Sequence, residues 1–155
     1  MEKRIVLDLD YCIGCRSCEA ACKVAFKDES RIKHGAIDSV ALLPLACRHC
    51  KDALCLKSCP VEAIFRDENN NRIVRNSSLC TGCSSCVFAC PFGVIDLPLL
   101  HHIAQKCDDC RDRELGPRCV AACSTGALMY ESIDKIEKVP VGVRLVSRVP
   151  WARRR

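Results

Sequence analysis

The chain has 155 residues, of which 16 are cysteine, and a formal charge of +5. That length allows one compact domain or two very small ones, and that cysteine density means either a disulfide framework or a set of metal ligands. One Trp, two Tyr and four Phe are too few to build base-stacking platforms, so no nucleic-acid partner is expected.

The first segment, "MEKRIVLDLDYC", is charged and alternating, without an apolar h-region or a small-residue cleavage site. It does not read as a signal peptide. Within it, "RIVLDLD" (4–10) alternates as a strand does. The longest apolar runs, such as "VALLPLAC" (40–47), are far too short to span a bilayer. A soluble cytoplasmic chain with no direct membrane insertion is the expectation, and in that compartment cysteines are ligands rather than bridges.

The cysteines fall into four groups of four along the chain. Cys12, Cys15, Cys18 and Cys22 form the first, and Cys47, Cys50, Cys55 and Cys59 the second. Cys80, Cys83, Cys86 and Cys90 form the third, and Cys107, Cys110, Cys119 and Cys123 the fourth. Each group reads C-x2-C, a variable gap, then C-x3-C; the gap is two residues in groups one and three, four in group two and eight in group four. The C-x3-C pieces suit single helical turns. After each of the last three groups comes a small residue or proline and a short apolar run suited to a strand: "PVEAIF" (60–65), "PFGVID" (91–96) and "STGALMY" (124–130). Between groups two and three, "AIFR" and "RIVR" flank the turn cluster "DENNN", which predicts a hairpin. "DSVALLPLA" (38–46) leads into group two and "LPLLHHIAQ" (97–105) into group four. From about residue 133 the chain lacks cysteine; "VGVRLVSRV" suits a strand and "WARRR" an exposed end.

An iron–sulfur cube needs four thiolates at its corners. A C-x2-C-x2-C loop wraps three of them, with Gly14 and Gly82 giving room where the chain passes close to the cube. The fourth cysteine lies one helical turn beyond the third, so its sulfur is expected to reach a second cube, as described for the bacterial C-x2-C-x2-C-x3-C-P run. Pro60 and Pro91 then end the turn. Structural zinc also uses C-x2-C pairs, but it gives no reason for C-x3-C in every group or for the trailing prolines. Sixteen thiolates around four 2+ cores would take the chain from +5 to about −3, so the basic balance reads as compensation for buried anionic clusters.

"CRHCKDALCLKSCPVEAI" followed by "CTGCSSCVFACPFG" resembles the electron-transfer iron–sulfur subunits of the dimethyl-sulfoxide-reductase type. Members of that family serve molybdenum and tungsten enzymes such as formate dehydrogenase and aldehyde oxidoreductase, and others serve hydrogenases and carbon monoxide dehydrogenases. The resemblance covers about residues 3 to 130. It implies an α+β fold of two pseudo-symmetric bacterial-type 2[4Fe–4S] ferredoxin-like units, with small hairpins and short helices around four clusters. An outer unit would comprise 1–46 plus 97–132, an inner unit 47–96, and a C-terminal extension 133–155. It further implies four ligand sets: Cys12, Cys15, Cys18 with Cys123; Cys107, Cys110, Cys119 with Cys22; Cys47, Cys50, Cys55 with Cys90; and Cys80, Cys83, Cys86 with Cys59. Family order places the Cys12 cluster at one end, then Cys107, then Cys47, then Cys80. Beside larger members, this chain is expected to do without the long insertions and the C-terminal membrane-docking extension, and Ser124 stands where proline is frequent.

Fully cysteine-capped iron leaves no open position for a substrate, so the expected role is a non-catalytic electron-transfer subunit. Its partners would be a catalytic subunit, a tungsten or molybdenum pterin enzyme first and a hydrogenase or carbon monoxide dehydrogenase next, and a second redox protein. A free polyferredoxin is the alternative, and two exposed ends leave end-to-end self-association open. His49, between Cys47 and Cys50, reads as a hydrogen-bond donor to a cluster sulfide or as an exposed loop residue. Lys23 and Lys106 adjoin ligand cysteines and either offset cluster charge or lie on the surface. His101 and His102 read as packed or solvated, and Arg153 to Arg155 as a solvated tail able to meet an acidic partner.

Overall fold

The structure is a computed structural model that describes residues 2–27, 29–37, 41–97, 103–132, 134 and 145–146. Strand β1 (Lys3–Asp8) forms where the alternation predicts it. Helix α1 (Ser17–Phe26) carries Cys18 and Cys22, both buried. At ten residues it is much longer than the expected single turn. The reason is local: Lys23, not proline, follows Cys22, and it pairs with Glu19 at 3.1 Å one turn back, the favourable order for a helix. The helix stops at Lys27, whose φ of 50° is left-handed.

Strands β2 (Lys33–Ile37) and β3 (Ala41–Leu45) form an antiparallel pair with Gly35 opposite Leu43. The apolar run leading into group two is thus one arm of a hairpin, and its partner "KHGAI" carries too little apolar alternation to announce itself. The short helix α2 (Leu54–Lys57) is followed by the predicted hairpin, β4 (Ile64–Arg66) against β5 (Ile73–Arg75), with Phe65 opposite Val74. The turn is held by Asp67, whose side chain accepts from Asn69 N and Asn70 Nδ2. Asn76 then caps a single 3-10 turn (Ser77–Leu79) through Ser78 N.

Helix α3 (Ser85–Ala89) holds Cys86 and ends before Pro91. The segment after it does not become a strand as expected; it makes one bridge, Asp96 to Gln105, while Val94 and Ile95 fill the core. Helix α4 (Arg118–Ala121) carries Cys119, and β6 (Leu128–Ser132) follows. A two-residue strand, β7 (Leu145–Val146), lies inside the strand predicted near the C-terminus. β1 is central in a three-stranded sheet, antiparallel to β6 with Leu7 opposite Leu128 and parallel to β7. Among the described residues no helix is long and apolar enough to cross a membrane.

The core lies in two apolar clusters. One joins Leu7, Ile32, Ala127 and Leu128 to Cys18, Cys22 and Cys119. The other joins Ala53, Ile64, Ile73, Ile95 and Ala104 to Cys86. Ile73 and Val74 are almost fully buried, each worth about 1.5–3 kcal/mol of burial. Cysteines form part of both clusters, so the apolar core and the candidate metal sites are one structure.

Candidate metal centres

Each C-x2-C loop is shaped by one backbone feature. The residue before the second cysteine has a left-handed φ in all four groups: Gly14 at 70°, His49 at 46°, Gly82 at 71° and Asp109 at 56°. This bends the chain so that both sulfurs turn inward. Room matters at Gly14, where an added β-carbon would meet Leu42 Cδ1 at 3.3 Å. Sequence reasoning from the glycines alone missed that conformation, not only size, is the shared requirement, since two groups meet it with His and Asp.

Two cavities are ringed by four thiols each. Cys12, Cys15, Cys18 and Cys123 line one, roofed by Leu42, Pro44 and Leu128. Cys59, Cys80, Cys83 and Cys86 line the other, against Ala63, Ile64 and Arg75. In both, three cysteines come from one group and one from another. Among the remaining eight, charge links Cys55 to Cys47 and Cys90, and Cys119 to Cys22 and Cys110. Burial pushes the Cys55 thiol up to about 11, with charge on Cys47 and Cys90 adding to it. Burial likewise pushes Cys119 up to about 12, with Cys22 and Cys110 adding to it. Fully buried Cys107 rises well above the ordinary range, through burial first and then the charge of Asp109.

Burial disfavours a charged thiolate at these positions, and the positive core of a cluster would offset that cost. Among the described residues no three Cys, His, Asp or Glu side chains converge tightly enough for a single ion. The thiols stand around cavities instead, which suits a multi-iron core. The donors around them fit as well. Backbone N–H groups of Arg31, His49 and Leu128 point at Cys22 Sγ (3.2 Å), Cys47 Sγ (3.5 Å) and Cys123 Sγ (3.3 Å). Ser17 and Ser85 hydroxyls lie 3.4 Å from the exposed Cys15 and Cys83 sulfurs, and these contacts lower both thiols.

The charged residues singled out in the sequence separate clearly. Lys106 is buried, and its Nζ donates to the carbonyls of Ile73 and Cys107; its charge opposes the rise at Cys55 and Cys107. Lys23 is a surface residue paired with Glu19. His49 is not an exposed loop residue: it is 2 % exposed, its Nδ1 accepts from Ile73 N at 3.0 Å, and its Nε2 stands 3.2 Å from Asp109 Oδ1. Two residues the sequence did not flag also matter. Arg31 stacks on Phe26, 3.5 Å from the ring centroid, and donates to Asp108 at 2.8 Å, tying the end of α1 to group four. Arg75 lies among Cys80 and Cys86. His101, His102 and Arg153 to Arg155 lie outside the described residues.

A cleft of about 610 Å³ opens beside Cys47 and Cys50, lined by Arg4, Arg48, Lys51 and Phe92 among others. The Arg48 guanidinium sits over the Phe92 ring at 4.9 Å.

Comparison with known proteins agrees with this chemistry. The family described as "4Fe-4S dicluster domain" matches residues 38–133, and that described as "4Fe-4S binding domain" matches residues 9–25. Electron transport protein HydN of Escherichia coli (strain K12) is 33% identical over 90% of this chain and 93% of that protein. The thiosulfate reductase electron transfer subunit PhsB of Salmonella typhi is 37% identical over 84% of this chain and 76% of its own length. Formate hydrogenlyase subunit 2 of Escherichia coli (strain K12) is 32% identical over 90% and 86%. With cysteine-ringed cavities, inward N–H groups and a match over more than half its length, the chain belongs to the 4Fe–4S dicluster family.

Proposed function

We propose that the chain is a non-catalytic electron-transfer subunit of an oxidoreductase complex, of the dimethyl-sulfoxide-reductase iron–sulfur type, holding four [4Fe–4S] clusters in two ferredoxin-like units. The carrying observation is the cavity geometry, three thiols from one group and one from another, seen around Cys12 and around Cys80. The ligand sets we assign are Cys12, Cys15, Cys18 and Cys123; Cys22, Cys107, Cys110 and Cys119; Cys47, Cys50, Cys55 and Cys90; Cys59, Cys80, Cys83 and Cys86. When bound, such clusters supply reversible one-electron storage.

The chain's own residues supply the rest. Inward N–H groups and the Ser17 and Ser85 hydroxyls hold negative charge on sulfur. Buried Lys106 offsets charge at the centre. Exposed Cys15 and Cys83 leave two sites close to solvent, whereas Cys107 and Cys119 are buried. Two sites close to solvent are what a relay between two proteins requires.

Relatives include subunits of a thiosulfate reductase and a formate hydrogenlyase. The partner we favour is a catalytic molybdenum or tungsten pterin subunit, with a second redox protein at the other end. Iron and sulfide analysis with EPR on anaerobically purified protein tests the cofactor, about sixteen irons per chain being expected. Affinity purification from the host tests the partner: a pterin-containing oxidoreductase is expected, and a chain that elutes alone overturns the subunit assignment.

A further inference from the structure

His49 and Asp109 hold the same place in their respective loops, the residue before the second cysteine, where groups one and three have glycine. Both take the left-handed φ that glycine adopts freely and that a β-carbon disfavours. Both side chains are fully buried, and they meet each other, His49 Nε2 lying 3.2 Å from Asp109 Oδ1. Because His49 Nδ1 accepts the Ile73 N–H, the neutral ring carries its proton on Nε2, the atom that faces the carboxylate. Asp109 Oδ2 lies 3.7 Å from Arg72 Nε, Arg72 contacts the Tyr130 hydroxyl, and Arg4 reaches the His49 carbonyl at 3.4 Å. Lys106 closes the seam by joining the Ile73 and Cys107 carbonyls.

The two loops joined here belong to different cluster sites. His49 lies between Cys47 and Cys50, and Asp109 between Cys107 and Cys110. We infer that the buried His49–Asp109 contact is a bridge that sets the spacing of the two middle clusters, making both residues positioning residues for the electron step between them. The inference rests on the four-cluster reading.

The test uses the full-length holo chain, reduced anaerobically, with iron content and EPR measured on every variant. His49→Gly with Asp109→Gly restores the loop pattern of groups one and three, so all four clusters are retained, while the magnetic interaction between the two middle clusters is lost. A second pair separates the bridge from general packing. His49→Asn can still accept from Ile73 N but is too short to reach Asp109; His49→Gln keeps a polar nitrogen at the length of Nε2, within reach of Asp109. Gln is expected to keep the interaction and Asn to lose it. The inference is overturned if the double-glycine and Asn variants keep both iron and a wild-type interaction. It is equally overturned if both lose iron, since the contact would then serve ligation and not spacing. A wild-type chain with well under about sixteen irons rejects the four-cluster reading itself, independently of any variant.

Discussion

On the ligand sets proposed above, single residues decide which cluster a sulfur serves. Cys90 lies one turn beyond Cys86 but associates with Cys47 and Cys55, not with the cavity that holds Cys80, Cys83 and Cys86. Cys90→Ser is therefore expected to remove the cluster of the second group while the third group's survives, a loss of about four irons in sixteen. EPR of the reduced variant identifies which signal disappears; loss of the Cys80 signal would contradict the exchange. Hydroxyls act at the same scale. Ser85 lies 3.4 Å from exposed Cys83 and favours its thiolate. Removing it in Ser85→Ala takes away a donor that stabilises the more negative, reduced site. The midpoint potential of the cluster proposed at Cys80, Cys83 and Cys86 should fall, as a redox titration followed by EPR would show, with an unchanged or raised potential arguing against the contact.

Elements differ in whether the helix runs past the fourth cysteine of its group. α2, α3 and α4 end before it, at Lys57, Ala89 and Ala121, whereas α1 runs on past Cys22 to Phe26, where Lys23 keeps its N–H and its pairing with Glu19. Lys23→Pro puts a proline inside that helix and should cost about 3 kcal/mol. Ser124→Pro falls after α4 has already ended at Ala121, so a change within about 1 kcal/mol is expected. Chemical denaturation of the two holo variants compares them directly, and equal losses would mean that the helix past Cys22 adds nothing. The hairpin of β4 and β5 is legible in the sequence because "AIFR", "DENNN" and "RIVR" carry alternation and turn chemistry within one short window. The β2–β3 pair is not, since its first strand contains Gly35 and lacks an apolar face. "PFGVID" misleads for a related reason: buried Val94 and Ile95 look like a strand, but apolar content does not supply a neighbouring chain to pair with.

At the scale of the molecule, both apolar clusters contain candidate ligands, with Cys18, Cys22 and Cys119 in one and Cys86 in the other. Without a metal the buried thiols would have no core to surround, and aliphatic side chains such as Leu7, Ile32, Ile64 and Ile73 would lose the ligated cysteines they pack with. Chelation or oxidative loss of the clusters should abolish the cooperative thermal transition, with far-UV circular dichroism falling in step. A cooperative melt in the metal-free chain would show instead that the apolar clusters suffice. The type of site was determined by sequence alone, because ligand chemistry is a property of side-chain identity and short spacing: sixteen cysteines in four groups, with a three-residue gap closing each group. Which thiols face one another, that Lys106 is buried while Lys23 is not, and that His49 meets Asp109 were decided only by tertiary structure. Such contacts join residues far apart in the chain, as Cys12 and Cys123 or His49 and Asp109 are, and local periodicity carries no record of what a loop meets when the chain closes.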